Sequence, residues 1–169
     1  MKKIFYILTL LLFSCSDSGS ENDKDTTAPG ETVLSGQYLS SSVNLAWTQV
    51  EDVDLNFYEL SQSTDGSSFE IVRSVGKDTL SLLFQGLTNG VKYYFKLRAV
   101  DNAGNKAVFS NVLELTPTTG DDLVSTSWQD ILSGDYDGAI ESLNAVIDLG
   151  LDAKDNARVA IGWAYLKRA

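Results

Sequence analysis

The sequence predicts a mainly β protein with a C-terminal α segment: a seven-stranded sandwich followed by a helical hairpin and one further helix. Two observations predict it. Across residues 28–117 short runs alternate apolar and polar residues, broken by Gly, Asn, Asp and Ser clusters roughly every 8 to 12 residues, the period-2 pattern of sandwich strands. After Thr118-Thr119-Gly120 the apolar spacing changes to that of helices. A length of 169 residues fits one domain of ordinary size plus an accessory segment.

The chain opens as a targeting segment over residues 1–14. Lys2 and Lys3 precede an apolar run of about ten residues, the build of a secretory signal and too short to span a bilayer. Cys15 follows Leu12-Phe13-Ser14, which resembles the lipobox at which bacteria attach lipid to cysteine and then cleave before it. That resemblance implies a covalent lipid on Cys15; the competing reading is an unpaired structural thiol. Residues 15–27 read as an acidic tether, because positions 16–27 hold no apolar residue and cannot bury anything. Ser16 and the acidic residues behind it resemble the export signal that some Gram-negative bacteria use to send lipoproteins to the outer face of the outer membrane. The expected location is therefore the bacterial cell envelope, as an outer-membrane lipoprotein facing either the periplasm or the surface.

Within the sandwich, spanning 28–117, the expected strands are 31–34, 42–48, 56–63, 69–75, 80–85, 92–100 and 107–115. Alternation turns Val43, Leu45 and Trp47 inward on the second, Tyr58 and Leu60 on the third, and Tyr93, Phe95, Leu97 and Ala99 on the sixth. Ala28-Pro29 at the start, Trp47 on the second strand, the run Leu87-Thr88-Asn89-Gly90-Val91-Lys92-Tyr93, and the stretch 95–105 together resemble a fibronectin type III domain. The resemblance implies that the Tyr93 hydroxyl bonds back to the preceding loop and that Leu87 packs beneath its ring. A single cysteine excludes an immunoglobulin-type disulfide.

Residues 118–121 read as a linker and 122–169 as helices. Leu123, Val124, Trp128, Ile131 and Leu132 give one helical stripe and Ala139, Ile140, Leu143, Val146 and Ile147 another, with Gly134-Asp135 between them. The stretch 128–143 is similar to a tetratricopeptide repeat, and Gly162-Trp163-Ala164-Tyr165-Leu166 resembles the opening helix of a second copy. Trp163 follows Trp128 by 163 − 128 = 35 residues, and Ile131 with Leu166 and Gly134 with Ala169 share that offset, close to the repeat period of about 34. The resemblance implies about one and a half repeats, with Trp128 and Trp163 inside the repeat core and an array that continues past Ala169. The alternative is a self-contained three-helix appendage.

Lys and Arg total 13 against 23 Asp and Glu, a net charge of −10 that repels nucleic acid. The absence of histidine removes imidazole bases, Ser-His and Cys-His nucleophiles and every His-ligated metal site. The expectation is a non-catalytic protein that binds another envelope or surface protein, touches the membrane through its lipid alone, and carries no cofactor. Competing classes are a carbohydrate-binding or accessory module of a polysaccharide-degrading system, and a fragment whose catalytic domain lies beyond residue 169. Two sites are candidates. Glu51, Asp52 and Asp54 precede the third strand while Asp101, Asn102 and Asn105 follow the sixth, loops that share one pole of such a sandwich and offer hard oxygen ligands to calcium; turn preference alone also explains these residues. Phe57, Glu59, Tyr94, Lys96 and Arg98 should face outward if Tyr58 and Tyr93 face in, giving either a contact surface for protein or sugar or a plain cross-strand ladder.

Overall fold

The computed structural model describes residues 24–169. Cys15, the signal segment and the first part of the tether lie outside the described residues. Seven strands, β1 (Leu34–Leu39), β2 (Ser42–Trp47), β3 (Leu55–Ser63), β4 (Glu70–Gly76), β5 (Ser81–Gln85), β6 (Tyr93–Asp101) and β7 (Leu113–Leu115), build two antiparallel sheets. One runs β1-β2-β5 and the other β4-β3-β6-β7. Strand alternation fills the space between them with Val43, Leu45 and Trp47 from one sheet and Tyr58, Leu60, Tyr93, Phe95, Leu97 and Ala99 from the other, all buried. Trp47 meets Tyr58 edge-on with centroids 5.8 Å apart. The Tyr58 hydroxyl accepts the Val50 N–H at 3.1 Å, so its polar end is satisfied. At the turn before β6 the Tyr93 hydroxyl accepts the Thr88 N–H at 3.2 Å, and Leu87 is buried in the same core. This is the corner that the sequence predicts.

The two outer strands depart from expectation. The first was expected over 31–34, but β1 runs Leu34–Leu39 and pairs with β2 from Leu34↔Trp47 to Leu39↔Ser42. The chain before it is tied to Thr48 by one backbone bond and two side-chain bonds: the Thr48 N–H donates to the Val33 carbonyl at 3.1 Å, the Thr32 hydroxyl donates to the Thr48 carbonyl at 2.6 Å, and the Val33 N–H donates to Thr48 Oγ1 at 2.9 Å. The last strand was expected over 107–115, but only Leu113–Leu115 pairs as β7. Upstream the ladder thins to single backbone bonds, the Ala107 N–H to the Ala99 carbonyl at 3.0 Å and the Ser110 N–H to the Leu97 carbonyl at 2.7 Å, and the Ser110 hydroxyl accepts the Leu97 N–H at 3.0 Å.

Three helices follow: α1 (Gly120–Ser133), α2 (Tyr136–Asp148) and α3 (Lys154–Arg168). Thr119 caps α1 by accepting the Asp122 N–H, so the helix begins inside the segment read as a linker. Gly134, at φ 93°, closes α1, and Asp135 caps α2 by accepting the Gly138 N–H. α2 packs against both of its neighbours around Val124, Ile131, Ala139, Leu143, Val146, Ala157, Ala160 and Ala164. Tyr38 and Leu39, at the end of β1, join this cluster and seat the helices on the sandwich. Gly120 is required where α1 starts, because a Cβ there would lie 1.7 Å from the Asp152 carbonyl oxygen.

Trp163 corrects an expectation. It was placed in the repeat core with Trp128; Trp128 is partly buried against the helical cluster, but Trp163 is 50% exposed. α3 turns Ala157, Ala160 and Ala164 towards α2, a stripe at helical spacing that leaves Trp163 on another face.

Candidate functional site

At one pole of the sandwich, the chain before β3 and the end of β6 meet because Leu55 pairs with Asp101. Asp54 and Asp101, both expected there, come together. The third carboxylate is Asp25, which sequence reasoning assigned to the tether, and the three offer oxygens within 4.8 Å of one another. Asn105 builds the junction: its side-chain amide donates to Asp101 Oδ2 at 2.8 Å and to the backbone carbonyls of Asp25 and Thr27 at 3.1 Å each. The last tether residues are thereby docked on the domain. Asp25 was missed because an uninterrupted polar run carries no signal of docking.

Charge is balanced unequally across this cluster. Asp101 is 1% exposed. Burial pushes its carboxyl up, but the Asn105 side-chain and backbone N–H bonds, with those of Gly104 and Ala103, outweigh that and hold it below the usual range. Asp54 goes the other way, pushed up to about 6 first by its hydrogen bond with Asp52, then by burial and by Asp25. A proton on Asp54 therefore relieves the crowding of like charges. Three carboxylates are also the kind of hard oxygen donors that calcium takes. Of the other expected ligands, Asp52 accepts the Asp54 N–H, Asn102 contributes its backbone N–H to the Asp54 carbonyl, and Glu51 is exposed outside the carboxylate group.

The outer face of β3 and β6 is covered by its own side chains. Glu59, expected to face outward, does so in register with Arg98 yet is 7% exposed. Arg98 Nε donates to Glu59 Oε2 at 2.8 Å, and Lys106 Nζ lies 3.1 Å from Oε1. Burial raises the Glu59 carboxyl, but the Arg98 and Lys106 bonds outweigh it and hold it low. Lys96 Nζ sits 4.0 Å from the Phe69 ring centre and 4.1 Å from that of Phe109, and the Arg98 guanidinium covers Phe109 at 4.5 Å. Phe57 and Tyr94 are half-buried, with the Tyr94 ring against Gly66. The candidate face is thus a closed cation–π and ion-pair layer, and Phe69 and Phe109 are its members that the sequence reading left out.

A third surface has no such cover. Val159, Trp163 and Leu166 lie on the outer side of α3, all exposed.

The fibronectin type III domain family model matches residues 27–116. Among curated proteins, amylopullulanase of Thermoanaerobacter thermohydrosulfuricus is 31% identical over 100 residues, a match covering 58% of this chain and 7% of that protein. The chain therefore spans a small fraction of that relative's length. Among solved structures, a beta-1,2-glucanase from Parabacteroides distasonis is similar with a TM-score of 0.50 and 21% identity, over 70% of this chain and 17% of that one. The 6th fibronectin type III domain of human fibronectin type III domain containing protein 3 has a TM-score of 0.48 and 21% identity, over 56% of this chain and 92% of that one. With its family model covering more than half of the sequence, and with the Tyr93 corner and two-sheet order in place, this chain belongs to the fibronectin type III domain family.

Proposed function

We propose that the protein is a non-catalytic, lipid-anchored component of the bacterial envelope that works by binding, its sandwich holding a tetratricopeptide-like helical unit away from the membrane. One contrast carries this reading. The charged and aromatic side chains on the outer face of β3 and β6 are spent on each other, whereas α3 leaves Val159, Trp163 and Leu166 exposed. A surface of that kind suits a protein contact. The offset of 35 residues that carries Trp128 onto Trp163 supports the repeat reading of the helices. The short apolar run ending in Cys15 supports the anchor, and no helix among the described residues is long and apolar enough to cross a membrane.

The anchor is tested by expressing the full chain in a Gram-negative host with labelled fatty acid. The wild type takes up label and enters the detergent phase, while Cys15→Ser does neither; equal partition of the two forms overturns the assignment. A second reading, an accessory module of a polysaccharide-degrading protein, is favoured by the identity shared with amylopullulanase. Affinity electrophoresis through gels cast with starch, pectin or β-glucan separates the two. Retardation in any of them favours the accessory module, and unretarded migration in all of them favours the protein-binding role.

A further inference from the structure

β5 ends its sheet: it pairs with β2 on one side, and no strand among the described residues lies on the other. The Trp47 N–H donates to the Leu80 carbonyl at 3.0 Å and the Gly86 N–H to the Ser41 carbonyl at 3.1 Å, in the same register that sets Leu45 opposite Leu82 and Val43 opposite Phe84. Residues 80, 82, 84 and 86 therefore turn their backbone groups towards β2, and Ser81, Leu83 and Gln85 turn theirs to the open side. Leu82 and Phe84 pack against the core, while the side chains of Ser81, Leu83 and Gln85 are exposed.

Sheet edges are normally blunted, and β4, the edge strand of the other sheet, is. It carries Glu70 and Arg73, and its pairing slips from Leu60↔Arg73 to Ser61↔Ile71, a bulge that passes over Val72. β5 has none of these devices. Residues 79–88 include no charge and no proline, and Leu80 and Leu83 are 37% and 49% exposed.

Symmetry and charge identify the occupant. When two copies of β5 pair antiparallel, a two-fold axis at Leu83 sets Leu83 opposite its own copy and Ser81 opposite Gln85, so the open N–H and C=O groups of all three residues satisfy one another. An axis at any other residue leaves part of that set unpaired. A chain of net charge −10 is repelled by its own copy, but this seam places no charged residue against another. On the inner side Leu82 meets Phe84 of the second copy, and on the outer side the two Leu83 side chains touch.

We propose that β5 is a self-association edge, through which two copies of this chain join antiparallel so that the sheet β1-β2-β5 continues into β5-β2-β1 of the second copy. The pairing goes beyond the binding role above and leaves its surfaces open, because the helices are seated on Tyr38 and Leu39 of β1, the opposite edge of this sheet.

Sedimentation equilibrium of the full chain in density-matched detergent is expected to give twice the monomer mass. Leu83→Lys, at a side chain outside the core, should keep the sandwich and fall to the monomer mass, since an edge lysine opposes its own copy. Oxidation with copper phenanthroline reads the register independently, with the wild type and its single cysteine as background. Leu83→Cys is expected to give a disulfide-linked dimer, as is a mixture of Ser81→Cys and Gln85→Cys chains, whereas Ser81→Cys alone and Ile71→Cys on β4 stay at background. The proposal is overturned by a monomer mass at every concentration, by a Leu83→Lys variant that stays dimeric, by Ile71→Cys linking as readily as Leu83→Cys, or by Leu83→Cys linking to other proteins instead of to itself. Fatty-acid labelling and migration in polysaccharide gels do not read this seam, so the two proposals fail separately.

Discussion

Asn111 clamps Leu34 with two hydrogen bonds of 2.9 Å, its Oδ1 accepting the Leu34 N–H and its Nδ2 donating to the Leu34 carbonyl. Leu34 opens β1 in one sheet, and Asn111 stands just before β7 in the other, so a side-chain amide closes this seam where no ladder does. Asn111→Ala strands both backbone groups of a buried residue, at an expected cost of about 2 kcal/mol. Urea denaturation should show a lower midpoint with an unchanged slope. A midpoint equal to the wild type would mean that water replaces the clamp.

Trp47 and Tyr93 test the two halves of the core argument. Trp47→Ala removes a buried ring packed edge-on against Tyr58 and should cost about 3 to 5 kcal/mol. Tyr93→Phe keeps the ring and loses only the bond to the Thr88 N–H, for about 1 kcal/mol. Thermal or chemical melts of the two variants should keep that order. A Trp47→Ala variant as stable as the wild type would show that its indole nitrogen, buried with no partner among the described residues, cancels the gain from packing.

The core strands were legible because β2, β3 and β6 bury one face of a strict alternation, and burial is what period-2 patterning records. β1 and β7 were not, because Thr32, Ser110 and Asn111 hold the neighbouring chain by side-chain bonds that leave no periodic trace. Glu59 was correctly set on the outer face of β3, yet its burial comes from Arg98 and Lys106, and the face is roofed by Phe69 and Phe109 from segments far apart in sequence. Trp163 was misplaced for a different reason. A repeat offset aligns equivalent positions without saying which of them has a neighbour, and α3 buries the face opposite to that of α1.

Asp54 and the lowered carboxyls give the stability a two-sided pH dependence. With Asp54 pushed up to about 6, the folded protein holds more protons than the unfolded chain between that value and the ordinary aspartate range near 4. Stability should therefore rise as pH falls from 7 to about 5. Glu59 and Asp101 are held low, as is Asp65 in the turn after β3, whose carboxylate accepts the Ser68 N–H at 2.7 Å and the Ser67 N–H at 2.8 Å, so their contribution is present above the ordinary carboxyl range and is lost as acid is added below about pH 4.5. Asp54→Asn should be more stable than the wild type at pH 7, lose the rise towards pH 5 and keep the acid limb. Urea midpoints at pH 7, 5 and 3 check all three; a wild type that weakens steadily from pH 7 to 5 contradicts the assignment.

Two helical glycines separate propensity from packing. By helix propensity alone, Gly→Ala should stabilise either of them by up to about 1 kcal/mol. Gly162, within α3, meets nothing within 4 Å of an added Cβ, so Gly162→Ala should gain most of that amount. Gly120, the first residue of α1, is buried, and its added Cβ would stand 1.7 Å from the Asp152 carbonyl oxygen and 2.6 Å from the carbonyl carbon. Those are backbone atoms and cannot swing aside, so the loop that leads into α3 must move and disturb the packing of Ala157 and Leu151 beyond it. Overpacking of this kind costs about 1 to 3 kcal/mol, enough to reverse the propensity gain. Hydrogen exchange should locate the damage: in Gly120→Ala, faster exchange across α1, α2 and α3, with β2, β3 and β6 as protected as in the wild type. Exchange that quickens equally in the sandwich would mean that Tyr38 and Leu39 couple the two parts into one cooperative unit.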